Sequence, residues 1–214
     1  MPYIVIEGGE ATGKGTLVKM LKESFPDAVF VAEPGTTDVA KEIRKEIMEH
    51  PEYSEFKKVE LFSKARADLM KEIVFPALQE GKLVISDRSW ISSCIYQSTE
   101  GTVSNIEKGI VGEPAITKNH IIKTNMKNNA FIYPDGVIWL NLSPEIALKR
   151  IVGDDRETNY FDKLPLEYHK KIQSKYKEML YTMNLCKSNL LLEIKDTLDI
   201  SSCFDNIKNW IDNK

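Results

Sequence analysis

Nine consecutive residues limit most sharply what this chain can fold into. Gly8-Gly9-Glu10-Ala11-Thr12-Gly13-Lys14-Gly15-Thr16 follows directly on the largely apolar run at 3–7 and opens a stretch with helical periodicity. Glycines let successive backbone N–H groups converge on one anion, and the helix that begins there adds partial positive charge at its N-terminus. The run satisfies GxxxxGK in the strand–loop–helix setting that a phosphate-binding loop requires. Lys14 is then placed to bridge the β- and γ-phosphates of a nucleotide. The usual pattern continues with a Ser or Thr whose hydroxyl binds magnesium, but here Gly15 stands there and Thr16 follows. The expectation is a metal held through Thr16, or mainly by water and nucleotide oxygens.

The remaining pattern alternates short β-branched runs with longer helical ones. Strands are expected at 3–7, 28–32, 83–87, 136–142 and 190–194. Helices are expected at 14–24, 38–48, 55–80, 90–99, 144–152, 166–185 and 201–212. The first, third and fourth strands are almost wholly apolar, which suits strands buried on both faces. The fold class that follows is α/β, three layers α/β/α around a five-stranded parallel sheet, with ligands at the carboxyl ends of the strands. Two stretches break the alternation. Residues 100–133 are rich in Lys and Asn and only partly helical in pattern, and Gly153-Asp154-Asp155-Arg156 opens a polar connection that runs to residue 165. No strand pattern is duplicated beyond either, so residues 1–214 are expected to form a single domain.

Composition serves mainly to exclude. The 29 Lys and Arg against 32 Asp and Glu give a net charge of −3, which argues against a nucleic-acid surface. No apolar run is long enough to span a bilayer, and the opening MPYIVIEGG lacks the features of a signal peptide. Cys94, Cys186 and Cys203 are far apart, without metal-ligand spacing, and read as reduced thiols of a cytoplasmic protein. His50, His120 and His169 lack ligand spacing too.

Further motifs stand in order along the chain: Glu33-Pro34-Gly35-Thr36-Thr37, then Leu61-Phe62-Ser63-Lys64-Ala65-Arg66, then Asp87-Arg88-Ser89 continuing as WISSCIYQ, then LNLSPEIALKR at 140–150. Together with the phosphate loop they resemble the thymidylate kinases, nucleoside monophosphate kinases of the phosphate-loop class. The resemblance implies a phosphate-loop NTPase fold with a short mobile lid at about 150–165 and a variable excursion at about 100–133. It implies transfer of the γ-phosphoryl group of ATP to dTMP with Mg2+, in a homodimer with no nucleic-acid or membrane partner.

The resemblance also implies roles. Gly8 to Thr16 bind ATP. Lys14, Asp87, Arg88, Arg150 and Arg156 serve catalysis, the last two from the lid, since the loop position where some relatives carry a catalytic arginine is Ala11. Asp87 is tied to the magnesium-water shell or to Lys14, and Arg88 to the transferring phosphoryl group. On the acceptor side, Phe62 stacks on the thymine ring and Arg66, one turn on along the same helix face, contacts the base. Ser93 lies against the base, Tyr96 crowds the ribose 2′-position, and Gln97 belongs with it. Glu10 bonds the acceptor sugar hydroxyl and Arg44 grips the acceptor phosphate. Ala32 replaces the arginine that relatives often carry before Glu-Pro-Gly, and Ser89 is the third residue of the Asp-Arg motif. These departures bear on strict dTMP preference and leave open a broader deoxynucleoside monophosphate kinase accepting dUMP or dGMP. A nucleotide-binding switch without turnover is a third reading, which would not need the acceptor-side residues.

The chain has 24 lysines and only five arginines, Arg44, Arg66, Arg88, Arg150 and Arg156. All five fall on these motif positions. The planar guanidinium suits bidentate phosphate recognition, whereas lysine serves general solubility.

Overall fold

A computed structural model describes residues 2–99, 115–153, 161–183, 189–195 and 199–214. Along the chain come β1 (Tyr3–Gly8), α1 (Lys14–Ser24), β2 (Val29–Ala32), α2 (Asp38–Glu49) and α3 (Glu55–Leu69). A π-helical turn, Met70–Val74, carries α3 into α4 (Phe75–Gln79), and β3 (Val84–Asp87), α5 (Trp90–Gln97) and α6 (Lys118–Lys127) follow. Then come β4 (Gly136–Asn141), α7 (Pro144–Gly153), α8 (Leu166–Thr182), β5 (Leu191–Lys195) and α9 (Phe204–Asp212), with 3-10 turns at Phe161–Lys163 and Ile200–Cys203. The strands form one parallel sheet ordered β2-β3-β1-β4-β5, flanked by helices, as the alternation predicts.

The chain gathers into two compact units. The first comprises Met1–Val31, Glu80–Arg88 and Pro134–Lys214, and holds the sheet. The two-residue period of β1 divides its side chains between the faces. Ile4 and Ile6 join Leu17 and Leu21 of α1 and Ile207 and Ile211 of α9 in one core. Glu7 points the other way and lies in register with Trp139 of β4, under Tyr176 of α8. β1 and β4 are buried almost throughout, because helices cover both of their faces.

The second unit comprises Ala32–Gln79 and Ser89–Tyr133. Its helices begin at side-chain caps: Thr37 accepts from the Ala40 N–H, Ser54 from Lys57 and Thr117 from His120. Ser63 of α3 donates to the Thr124 carbonyl of α6 and accepts from Asn128, which fastens the two helices together.

The single helix expected over 55–80 is interrupted by the π turn. Pro76 supplies no N–H and its ring would meet the carbonyl four residues back, and the wider turn, closed by Phe75 N–H on Met70 O, accommodates it. Of the expected excursion, residues 100–114 lie outside the described residues, and 118–127 form a helix. Of the expected lid, residues 154–160, Arg156 among them, lie outside the described residues as well. No helix among the described residues is long and apolar enough to cross a membrane.

Candidate active site

The first unit concentrates cations around the turn after β1. Gly13, at φ +97°, caps α1 in the left-handed region where a side chain would be strained. Gly8 is closed to larger residues, since a Cβ there would stand 2.9 Å from the Leu140 carbonyl. The Lys14 ammonium folds back over the loop and donates to Gly8 O at 3.0 Å and Gly9 O at 2.6 Å. Arg150, projecting from α7, donates to Ala11 O at 3.3 Å. Arg88 donates to Gly8 O at 3.3 Å and pairs with Glu10 at 3.1 Å. Three cations thus converge on the loop, with backbone carbonyls taking the hydrogen bonds that phosphate oxygens could take.

Burial, and next the Arg88 charge, lower the Lys14 pKa from 10.5 to about 8, while Glu10, Asp87 and Glu7 pull it upward. Arg88 leaves the end of β3 at φ +71°, an uncommon conformation for a residue with a side chain. Its N–H bonded to Ile6 O and its carbonyl bonded to Ser86 Oγ hold it there. Such a locally costly backbone persists only where its surroundings fix it, and it clusters at functional sites.

The second unit builds a polar cluster around one buried guanidinium. Arg66, 5% exposed, donates from Nε to Glu33 at 2.5 Å, from Nη1 to Asn125 at 2.5 Å and from Nη2 to Ser93 at 3.0 Å. Asn125 is itself oriented by its amide on Ile121 O, so α6 sets one edge of the cluster. Half-buried Phe62 lies one turn from Arg66, and both line a narrow cleft with Glu33, Pro34 and Gly35. Exposed Arg44 reaches back to Pro34 O at 3.3 Å. Gln97 buries both amide atoms without a hydrogen-bond partner among the described residues. Tyr96, beside it, is half-buried.

The family model for thymidylate kinase matches residues 6–198. The chain belongs to the thymidylate kinase family. A thymidylate kinase of Caldicellulosiruptor saccharolyticus (strain ATCC 43494 / DSM 8903 / Tp8T 6331) is 32% identical over 220 aligned residues, covering 98% of this chain and 95% of the relative. A thymidylate kinase of Clostridium novyi (strain NT) is 29% identical over 216, covering 98% and 97%. The crystal structure of thymidylate kinase from Ehrlichia chaffeensis shares the fold, with a TM-score of 0.68 at 16% identity over 99% of this chain and 98% of that one.

The thymidylate kinase motifs read from the sequence therefore fall into two groups. Lys14, Glu10, Arg88 and Arg150 come together at the loop, and Asp87 is close enough for its charge to act on Lys14. Phe62, Arg66 and Ser93 come together at the cleft and its polar cluster. Thr16 is exposed on the first turn of α1.

Four residues of these networks carry no sequence-based role: Glu7, Tyr176, Glu33 and Asn125. Glu7 left a trace, an acidic residue inside an otherwise apolar run. Glu33 stands in a motif whose proline and glycine draw attention first. Tyr176 lies mid-helix and Asn125 in a stretch rich in Asn and Lys, so neither stands out in sequence.

Proposed function

We infer that this chain transfers the γ-phosphoryl group of ATP to dTMP, giving dTDP and ADP. The observation that carries the reading is the family match over residues 6–198, which spans the phosphate loop and every acceptor-side motif. Phosphoryl transfer needs little covalent work from the protein and much positioning and charge neutralisation. Residues 1–214 act in it as a single kinase domain.

In this reading the backbone of Gly8 to Thr16 cradles ATP, and Lys14 exchanges its bonds to Gly8 O and Gly9 O for the β- and γ-phosphates. Arg88 meets the transferring group. Arg150 contributes charge from α7, and Arg156 does so from the lid that the resemblance implies. On the acceptor side Phe62 stacks on thymine, Arg66 and Ser93 address its polar edge, Gln97 offers its amide, and Tyr96 lies at the 2′-position. Arg44 takes the acceptor phosphate and Glu10 the sugar hydroxyl.

Magnesium fits the residues present. Asp87 Oδ1 is buried with no hydrogen-bond partner among the described residues, an anionic oxygen suited to a metal-bound water or the ion itself. Asp87, with Thr16, would hold it, and the ion would neutralise charge on the β- and γ-oxygens. A homodimer in the cytoplasm completes the reading.

A coupled ATP-to-ADP assay against a panel of monophosphates tests it. Turnover should be fastest with dTMP and slower with dUMP or dGMP. Tight ATP binding without turnover on any acceptor would overturn it.

A further inference from the structure

Below the phosphate loop, on the face of the sheet that carries α8, lies a polar relay that reaches Arg88 through two residues with no role in the reading above. Glu7 of β1 and Tyr176 of α8 are both 0% exposed. The Tyr176 hydroxyl donates to Glu7 Oε2 at 2.9 Å and accepts from Arg88 Nη1 at 3.3 Å. The order of donors is fixed by chemistry. A guanidinium can only donate, a carboxylate accepts, and a phenol does both. Tyr176 is the one group in the relay that can join the other two. Its ring stacks on Trp139, whose neighbour across the strands is Glu7, so the phenol is held on its apolar side as well.

We propose that Tyr176 and Glu7 are positioning residues for phosphoryl transfer, holding the Arg88 guanidinium in its catalytic orientation. A buried carboxylate is costly, and an apolar pair at these two places would fill the same space with less desolvation. Arg88 has particular need of an anchor, because its side chain starts from a backbone at φ +71°. Glu10, which pairs with Arg88, sits on the loop and is assigned above to the acceptor sugar, so that pairing is not a permanent anchor. The Tyr176–Glu7 pair is rooted in a helix and a central strand, both rigid, and stays in place whatever occupies the loop.

The inference rests on the reading of Arg88 as the group that meets the transferring phosphoryl. It is tested by kcat and KM for ATP and dTMP in wild type, Tyr176→Phe, Arg88→Ala and the double variant, each checked for folding by its melting temperature. Tyr176→Phe should lower kcat by about tenfold or more with both KM values within about twofold, and should cost almost nothing further on Arg88→Ala. Glu7→Met, which removes the acceptor while keeping bulk, should reproduce the loss, and Glu7→Gln, which keeps an acceptor oxygen, should restore most of the activity. An unchanged kcat in Tyr176→Phe, or the same loss with and without Arg88, would overturn the proposal; should Tyr176→Phe not fold, Glu7→Met with and without Arg88 decides by the same criteria. If Arg88→Ala itself turned over at the wild-type rate, the underlying assignment of Arg88 would fall first.

Discussion

Lys14 is where the demands of folding and of chemistry conflict most openly. Its ammonium is held away from water next to another cation, and its pKa of about 8 measures the cost. The charged form is disfavoured in the folded chain, so the cost is fully present below pH 8 and fades as pH rises toward 10.5, where the unfolded chain also loses its proton. Lys14→Met should therefore raise the melting temperature at pH 7, and the gain should shrink toward pH 10, measured by thermal denaturation across that range. The same change should lower kcat by about 10²–10³-fold, as expected when a preorganised donor to developing charge is lost. ATP binding selects the protonated lysine. Affinity should weaken above pH 8, approaching about tenfold per unit, in calorimetric titrations of the wild type and not of Lys14→Met.

At the scale of elements, helices α3, α5 and α6 and the Glu33 carboxylate are joined through one arginine. The Arg66 and Glu33 side chains are only 5% and 3% exposed, so neither can be removed alone without leaving a buried charge. Arg66→Ala should cost about 3–5 kcal/mol in urea unfolding, and the pair Glu33→Gln with Arg66→Met should cost clearly less. Both should raise KM for dTMP, which separates the cluster's part in the fold from its part in binding. Gly136 fixes β4 in a different manner: a Cβ there would lie 2.6 Å from Trp210 Cη2 and 2.8 Å from Ile4 Cδ1. Gly136→Ala should destabilise by about 1–3 kcal/mol in the same assay while leaving KM for both substrates unchanged.

These elements also show how far sequence could reach. Strands β1, β3 and β4 were legible because burial on both faces leaves an apolar run, and α1 because a glycine-bounded loop announces its first turn. The helix pattern over 55–80 hid the π turn, since apolar spacing is insensitive to one proline that a wider turn can absorb. The Arg66 partners were not legible for a related reason. Asn125 meets Arg66 across 59 residues of sequence, and no local periodicity reports a contact of that kind. Glu7 and Tyr176 stand 169 residues apart and are joined only by the stacking of β1, β4 and α8.

Across the whole molecule, the scarcity of arginine is the feature with the widest reach. Among the described residues, Arg66 organises the acceptor-side cluster, Arg88 and Arg150 converge on the phosphate loop, and Arg44 extends to the Glu-Pro-Gly turn. A net charge of −3 spread over 214 residues reveals none of this, because lysines distributed over the surface dominate the count. The thymidylate kinase match and the two clusters together make a specific claim: phosphate leaves ATP for a pyrimidine deoxynucleotide. The most direct measurement incubates the protein with ATP labelled in the γ-phosphoryl group, dTMP and Mg2+, and separates the products. Label should appear in dTDP, about 10²–10³-fold more slowly in Lys14→Met and at a greatly reduced rate in Arg88→Ala. Label appearing only as inorganic phosphate, with dTMP unchanged, would contradict it.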